Sequence, residues 1–148
     1  METKIYTDGA CIGNPGPGGW AAIILANNQK KELFGGEKLT TNNRMELTAA
    51  IKALEYFSKE DKKLPSLKNL KIYTDSNYVK EGITVWINSW EKNNWKTSDK
   101  KNVKNIDLWK RLKELTKSNQ IEWNWIKGHS DNPMNDLADK LAKRATPI

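Results

Sequence analysis

Two copies of one pentapeptide, Lys4-Ile5-Tyr6-Thr7-Asp8 and Lys71-Ile72-Tyr73-Thr74-Asp75, each close on an aspartate. Both read as strands that end in a carboxylate at the same pleat phase, and a helix between them lets the second strand lie parallel beside the first. Adjacent strands are about 4.8 Å apart. Asp8 and Asp75 would therefore emerge side by side at the carboxyl ends of their strands, where open α/β sheets hold ligands. Two like charges so close repel, and a divalent cation would relieve the repulsion. The structural alternative is that each aspartate caps the turn or helix that follows, a serious one for Asp75 before Ser76.

Other carboxylates converge on the same place. Glu46 lies four, seven and eleven residues before Ala50, Ala53 and Phe57, which continues a helix's apolar stripe toward the sheet. Its alternative is a capping box, with Asn43 as the cap and Glu46 three residues on. Asp139 falls at the edge of the stripe formed by Leu137, Ala138, Leu141, Ala142 and Ala145, whereas Asp136 is expected to point away from it. The bland reading of Asp139 is a solvated boundary residue. His129 lies in Gly128-His129-Ser130-Asp131, a loop expected to open near Asp8 and Asp75. A lone histidine is otherwise structural or incidental. Cys11 offers only a weak case for a nucleophile, with no organised triad around it. The run Gly13 to Gly19 is no phosphate cradle, because it contains Pro15 and Pro17 and leads into a strand.

The elements that must position these groups can be read in outline. Strands are expected at Lys4 to Thr7, Trp20 to Ala26 and around Glu32 to Phe34, as an antiparallel meander turning at Asn27-Asn28-Gln29-Lys30. A helix follows from about Asn43 to Ser58, with Thr41-Asn42-Asn43 as capping candidates. The charged segment Lys59 to Asn69 leads to a fourth strand, Leu70 to Thr74, and then one or two helices to about Trp90. Glu91 to Asn105 is polar, lysine-rich and aromatic, without clear periodicity. A helix at Ile106 to Thr116, a strand at Ile121 to Trp125 and a helix at Pro133 to Ala145 complete the chain. The order βββαβααβα implies a mixed α/β sheet of five strands, three antiparallel then two parallel, with helices on both faces.

The 148 residues suit one domain, taken as 1–148, and the composition of 37% hydrophobic and 29% charged residues is that of a globular chain. No apolar run approaches the ~20 residues of a membrane span, and the first residues lack a signal-peptide layout. A cytoplasmic protein without a membrane partner is expected. One cysteine and one histidine exclude an intramolecular disulfide, a Cys-rich zinc site and a multi-His centre. Any metal must be held mainly by oxygen, which suits magnesium or manganese. The formal charge of +7 and seven tryptophans point to a polyanionic partner.

With these residues in place the chain resembles ribonuclease H of type 1, the bacterial-type ribonuclease HI. The likeness rests on Tyr6-Thr7-Asp8-Gly9-Ala10-Cys11 with the glycine-rich turn, Thr41-Asn42-Asn43-Arg44-Met45-Glu46-Leu47, Thr74-Asp75-Ser76, Trp95-Lys96-Thr97, and Lys127-Gly128-His129 through Asn135 to Asp139. It spans nearly the whole chain. The resemblance implies the ribonuclease H-like fold and hydrolysis of the RNA strand of RNA/DNA hybrids, leaving 5′-phosphate and 3′-hydroxyl ends. It implies two Mg²⁺ ions, with Mn²⁺ possible, held by Asp8, Glu46, Asp75 and Asp139, and His129 as a mobile catalytic residue. Asp8 would bridge both ions, with Glu46 and Asp75 on one and Asp139 on the other.

By the same resemblance Cys11, Asn14, Asn43 and Asn77 would track the RNA strand. Thr41 and Asn105 would hold a phosphate of the DNA strand, and Tyr78 and Trp90 would line its channel. A basic protrusion maps to about 86–104 and brings in Trp95, Lys96, Lys100 and Lys101; its bland alternative is a solvated charged loop. Leu39 stands where arginine is common and Glu91 where lysine is common, and both would weaken hybrid affinity. A monomer without a separate hybrid-binding domain is expected. Two competing functions fit parts of the pattern: a non-catalytic hybrid-binding module, and another nuclease of the same fold such as a junction resolvase or integrase core.

Overall fold

The computed structural model describes residues 3–60, 70–117, 121–127 and 132–147. Its strands are β1 Thr3–Cys11, β2 Gly16–Ala26, β3 Gln29–Thr40, β4 Leu70–Thr74 and β5 Ile121–Trp125. Its helices are α1 Asn42–Glu60, α2 Asn77–Glu81, α3 Ile87–Lys92, α4 Ile106–Thr116 and α5 Pro133–Ala145, with a π-helical segment, Gly82–Trp86, joining α2 to α3. The sheet order is β3-β2-β1-β4-β5, antiparallel across β3-β2-β1 and parallel across β1-β4-β5. This is the expected mixed sheet.

Alternation along β1 and β2 divides the core. Ile5, Ala22 and Ile24 join Leu47, Ala50, Leu54, Trp109 and Leu112 on one face, under α1 and α4. Tyr6, Ala21 and Ile23 join Ala138, Leu141 and Ala142 of α5 on the other. Helices therefore cover both faces. The repeated pentapeptide is in register: Thr3 pairs with Leu70, and the ladder runs to Thr7 beside Thr74. Tyr6 and Tyr73 stack with ring centroids 4.7 Å apart and planes 12° apart.

The strands are longer than the hydrophobic pattern indicates. β1 continues through Asp8 to Cys11 paired with β2, so Asp8 lies inside a strand, while Asp75 follows β4 directly. β2 begins within the glycine-rich run, at Gly16, with a register shift between Gly16 and Gly18. Small residues serve there because α5 packs closely on β2; a Cβ on Gly19 would meet the Ala142 carbonyl. The β2–β3 turn is tight, with Asn27 and Asn28 both at positive φ, as a two-residue hairpin loop requires.

The segment read as polar and aperiodic is also ordered by backbone bonds. Lys96 and Asn102 form an antiparallel bridge, Val103 N–H donates to the Trp95 carbonyl at 3.2 Å, and Val103 is buried. Behind it, Gly82 leaves room for Trp109, whose ring would overlap any Cβ at that position. No helix among the described residues is long and apolar enough to cross a membrane.

Candidate active site

Asp8 reaches the site because β1 outruns β4, leaving its side chain where the parallel ladder stops. Asp75 arrives at the same level on the next strand. The alternative role for Asp75 falls away, because the cap of α2 is Ser76, whose Oγ accepts from Val79 N–H at 3.1 Å. Glu46 comes from the first turns of α1, 2% exposed among apolar neighbours. The capping-box alternative is also displaced: α1 starts at Asn42, Thr41 Oγ1 accepts from Arg44 N–H at 3.2 Å, and Glu46 Oε1 accepts from Gly9 N–H of β1 at 2.7 Å. A Cβ at Gly9 would lie 2.5 Å from the Glu46 amide nitrogen, so only glycine lets α1 approach β1 this closely.

Carboxylate oxygens of Asp8, Glu46 and Asp75 lie within 4.8 Å of one another. They line a polar cleft of about 200 Å³ together with Gly9, Asn42, Asn135, Asp136 and Asp139. Asp139 borders this cleft but forms an ion pair with Lys143 at 3.0 Å, and it raises the Lys143 ammonium above its ordinary pKa. Asp136 was expected to turn away; exposed in the first turn of α5, it nonetheless lines the cleft, because the helix points its beginning at the carboxylates. Burial pushes the Asp8 carboxyl up to about 7, and the charges of Asp75 and Asp139 add to the rise. Burial, then the charge of Asp8, raises Glu46 well above the usual carboxylate range.

These features fit a hard divalent cation. The donors are oxygens, they repel one another without a counter-charge, and Glu46 Oε2 is buried without a hydrogen-bond partner among the described residues. Sequence reasoning missed Asn42 and Asn135 on the cleft wall. The apolar stripe of α5 could have found Asn135, which stands one helical turn before Asp139 on the same face. It also missed Trp125, which is 42% exposed at the end of β5 and whose Nε1–H donates to the Asp75 carbonyl at 3.1 Å, fixing the backbone that carries the carboxylate.

The remaining sequence candidates do not line this cleft among the described residues. His129 lies outside the described residues. Cys11 Sγ donates to the carbonyls of Thr40 (3.4 Å) and Gly16 (3.5 Å). Asn14 Oδ1 accepts from Asn42 N–H at 2.8 Å, tying the glycine-rich turn to α1. Asn43 and Asn77 are exposed at the starts of α1 and α2. Thr41 combines its capping role with a half-buried position.

Asn105, at φ 60°, donates through Nδ2 to Tyr78 Oη at 3.0 Å and accepts from Arg44 Nη1 at 3.2 Å. Arg44 also grips both carboxylate oxygens of Asp107, at 3.1 and 2.8 Å. Tyr78 and Trp90 line a second cavity of about 330 Å³ with Thr97, Asp99, Lys101 and Asn102. Trp90 is half-buried and packs on Trp86, Trp95 and Trp109, so it carries core packing as well as cavity wall. Lys110 lies over the Trp95 ring, 5.5 Å from its centroid. Lys96 bonds to Asn102 Oδ1, while Lys100 and Lys101 are exposed beside Trp95 in sequence.

Residues 1–146 match the family model described as RNase H. The chain is 54% identical over 141 residues to the ribonuclease H of Parvibaculum lavamentivorans, covering 95% of this chain and 89% of that one. It is 57% identical over 139 residues to the ribonuclease H of Maricaulis maris, covering 94% and 89% respectively. Among solved structures it is similar to LC9-RNase H1, described as a type 1 RNase H with the type 2 active-site motif. There the TM-score is 0.83 at 27% identity, over 97% of this chain and 71% of that one.

Proposed function

The chain belongs to the ribonuclease H family, and we propose that it hydrolyses the RNA strand of RNA/DNA hybrids in the carboxylate cleft, with two magnesium ions. The observation that carries this reading is the gathering of Asp8, Glu46 and Asp75 oxygens within 4.8 Å, with one oxygen of the buried Glu46 left unpartnered. Asp8, Glu46 and Asp75 would hold one ion, and Asp8 with Asp139 the other. Such a pair of ions supplies an activated water on one side of the scissile phosphate and charge stabilisation for the leaving oxygen on the other.

The protein's own part is to hold these charges together. β1 and β4 fix Asp8 and Asp75 through their ladder, Trp125 fixes the Asp75 backbone, and the Gly9 amide orients Glu46. Lys143 is the cation that meets Asp139 in the free protein. His129 carries over as the group that moves a proton or helps product leave, and the products carry 5′-phosphate and 3′-hydroxyl ends.

Substrate is held outside the cleft. Cys11, Asn14, Asn43 and Asn77 follow the RNA strand, whose 2′-hydroxyls distinguish it from DNA. Thr41 and Asn105 take a DNA phosphate, Tyr78 and Trp90 line the adjoining channel, and the protrusion at 86–104, with Trp95, Lys96, Lys100 and Lys101, adds positive charge. Residues 1–148 act as one catalytic domain, a monomer in the cytoplasm.

Digestion of labelled RNA/DNA hybrid, duplex DNA and duplex RNA, with and without magnesium, tests this reading. Cleavage restricted to the RNA of the hybrid and dependent on magnesium is the expected result. Binding without cleavage, or cleavage of duplex DNA, would overturn it in favour of a hybrid-binding module or another nuclease of this fold.

A further inference from the structure

Asn135 has no part in the reading above, yet it is 2% exposed and lines the carboxylate cleft. Its backbone N–H is used locally, donating to Asn132 Oδ1 at 3.1 Å as α5 begins. Its side-chain Oδ1 is buried with no hydrogen-bond partner among the described residues. An acceptor buried without a partner is destabilising, and native proteins keep few of them without a use.

The neighbours decide what could satisfy it. The other side chains of the cleft are Asp8, Glu46, Asp75, Asp136, Asp139 and Asn42, and carboxylates accept but do not donate once ionised. A substrate phosphate brings more acceptors and would leave the Asn135 oxygen unmet. Water around a magnesium ion brings donors, because its hydrogens point outward from the cation and the ion retains several waters when protein-bound. Asn135 and Asp139 stand one turn apart on α5, and both line the cleft that holds Asp8, Glu46 and Asp75.

We propose that Asn135 is a positioning residue whose carboxamide oxygen accepts a hydrogen bond from the hydration water of the cation held by Asp8, Glu46 and Asp75. The proposal rests on the cleft being a magnesium site. Through that water α5 is tied to the cation, and cation binding becomes sensitive to a residue that is not a ligand. Outer-shell partners of this kind typically contribute 10- to 100-fold in metal affinity.

The test is magnesium titration of the full chain by calorimetry, paired with thermal unfolding in chelator and in saturating magnesium. Asn135→Leu keeps the shape and removes the acceptor; Asn135→Ala is the second variant should leucine fail to fold. The magnesium dissociation constant is expected to rise 10- to 100-fold, and the magnesium-induced rise in Tm to shrink, while Tm in chelator is kept or increased. An unchanged dissociation constant in a folded variant would overturn the proposal. So would a Tm lowered equally in chelator and in magnesium, the signature of a merely structural residue. If the unaltered protein binds no magnesium, the site reading itself fails, a separate result from a variant that binds like the original.

Discussion

Asp8 and Glu46 share a single donor, the backbone N–H of Gly9, at 2.9 Å to Asp8 Oδ1 and 2.7 Å to Glu46 Oε1. That one amide joins β1 to α1 and leaves the second Glu46 oxygen available for a cation. The approach depends on the absence of a side chain at Gly9, since its Cβ would strike backbone and not a flexible tip.

Gly9→Ala should therefore damage both stability and chemistry. Overpacking against backbone costs about 1–3 kcal/mol, and displacing Glu46 by even 1 Å is enough to lower turnover by roughly 100-fold. Denaturant unfolding with single-turnover cleavage checks it; a variant with normal rate and stability would show that α1 yields freely.

Asp8→Asn should abolish nearly all cleavage while hybrid binding persists, because the amide preserves shape and forfeits the charge that holds cations. In chelator at pH 8 the same variant should be more stable than the original, by roughly 1–2 kcal/mol, or several degrees in Tm. The gain arises because Asp8, pushed up to about 7, is ionised there against burial and the neighbouring carboxylates. It should shrink toward pH 5, where Asp8 is already protonated. Substantial magnesium-dependent turnover would contradict the assigned role.

Without metal, stability should fall as pH rises from about 4 to 7. Asp8 and Glu46 have raised values in the folded protein, so the native state binds more protons than the unfolded chain across that window, and raising pH favours unfolding. Asp107 works in the opposite sense: Arg44 holds it below its ordinary value, so its contribution is present above about pH 4 and lost on further acidification. A stability maximum in chelator near pH 4 to 5 is expected, and magnesium should restore stability at pH 8 by replacing the protons with a cation. Tm measured against pH with and without magnesium decides; a flat profile in chelator would show the carboxylates to be unstrained.

Replacing Lys96, Lys100 and Lys101 by alanine should raise the hybrid dissociation constant with little change in saturated single-turnover rate. Each lost phosphate contact should flatten the slope of log affinity against log salt by about one unit. Trp90→Ala should weaken binding with the slope retained, but should also destabilise the fold by about 3–5 kcal/mol at full burial and less here, since its ring packs on Trp86, Trp95 and Trp109. Affinity measured from low to moderate salt distinguishes them, and an unchanged slope in the lysine variant would make the segment a solvated loop.

The sequence by itself determined the sheet and the carboxylates on it. Period-two and helical spacing are local properties, and the repeated pentapeptide set Asp8 beside Asp75 because identical strands in a parallel ladder keep identical phase. Glu46 was legible for the same reason, as the polar member of a buried stripe. Strand lengths were not: β1 to Cys11 and β2 from Gly16 are held by cross-strand bonds through glycines that carry no hydrophobic signal. The caps also waited on geometry, because Thr41, Asn43, Ser76 and Asp75 are all capable caps and only backbone direction chooses Thr41 and Ser76. Asn42, Asp136 and the Trp125 bond to Asp75 belong wholly to the tertiary structure. Their place at the cleft follows from where α1, α5 and β5 end against the sheet, a distance between segments far apart in the chain that no local pattern encodes.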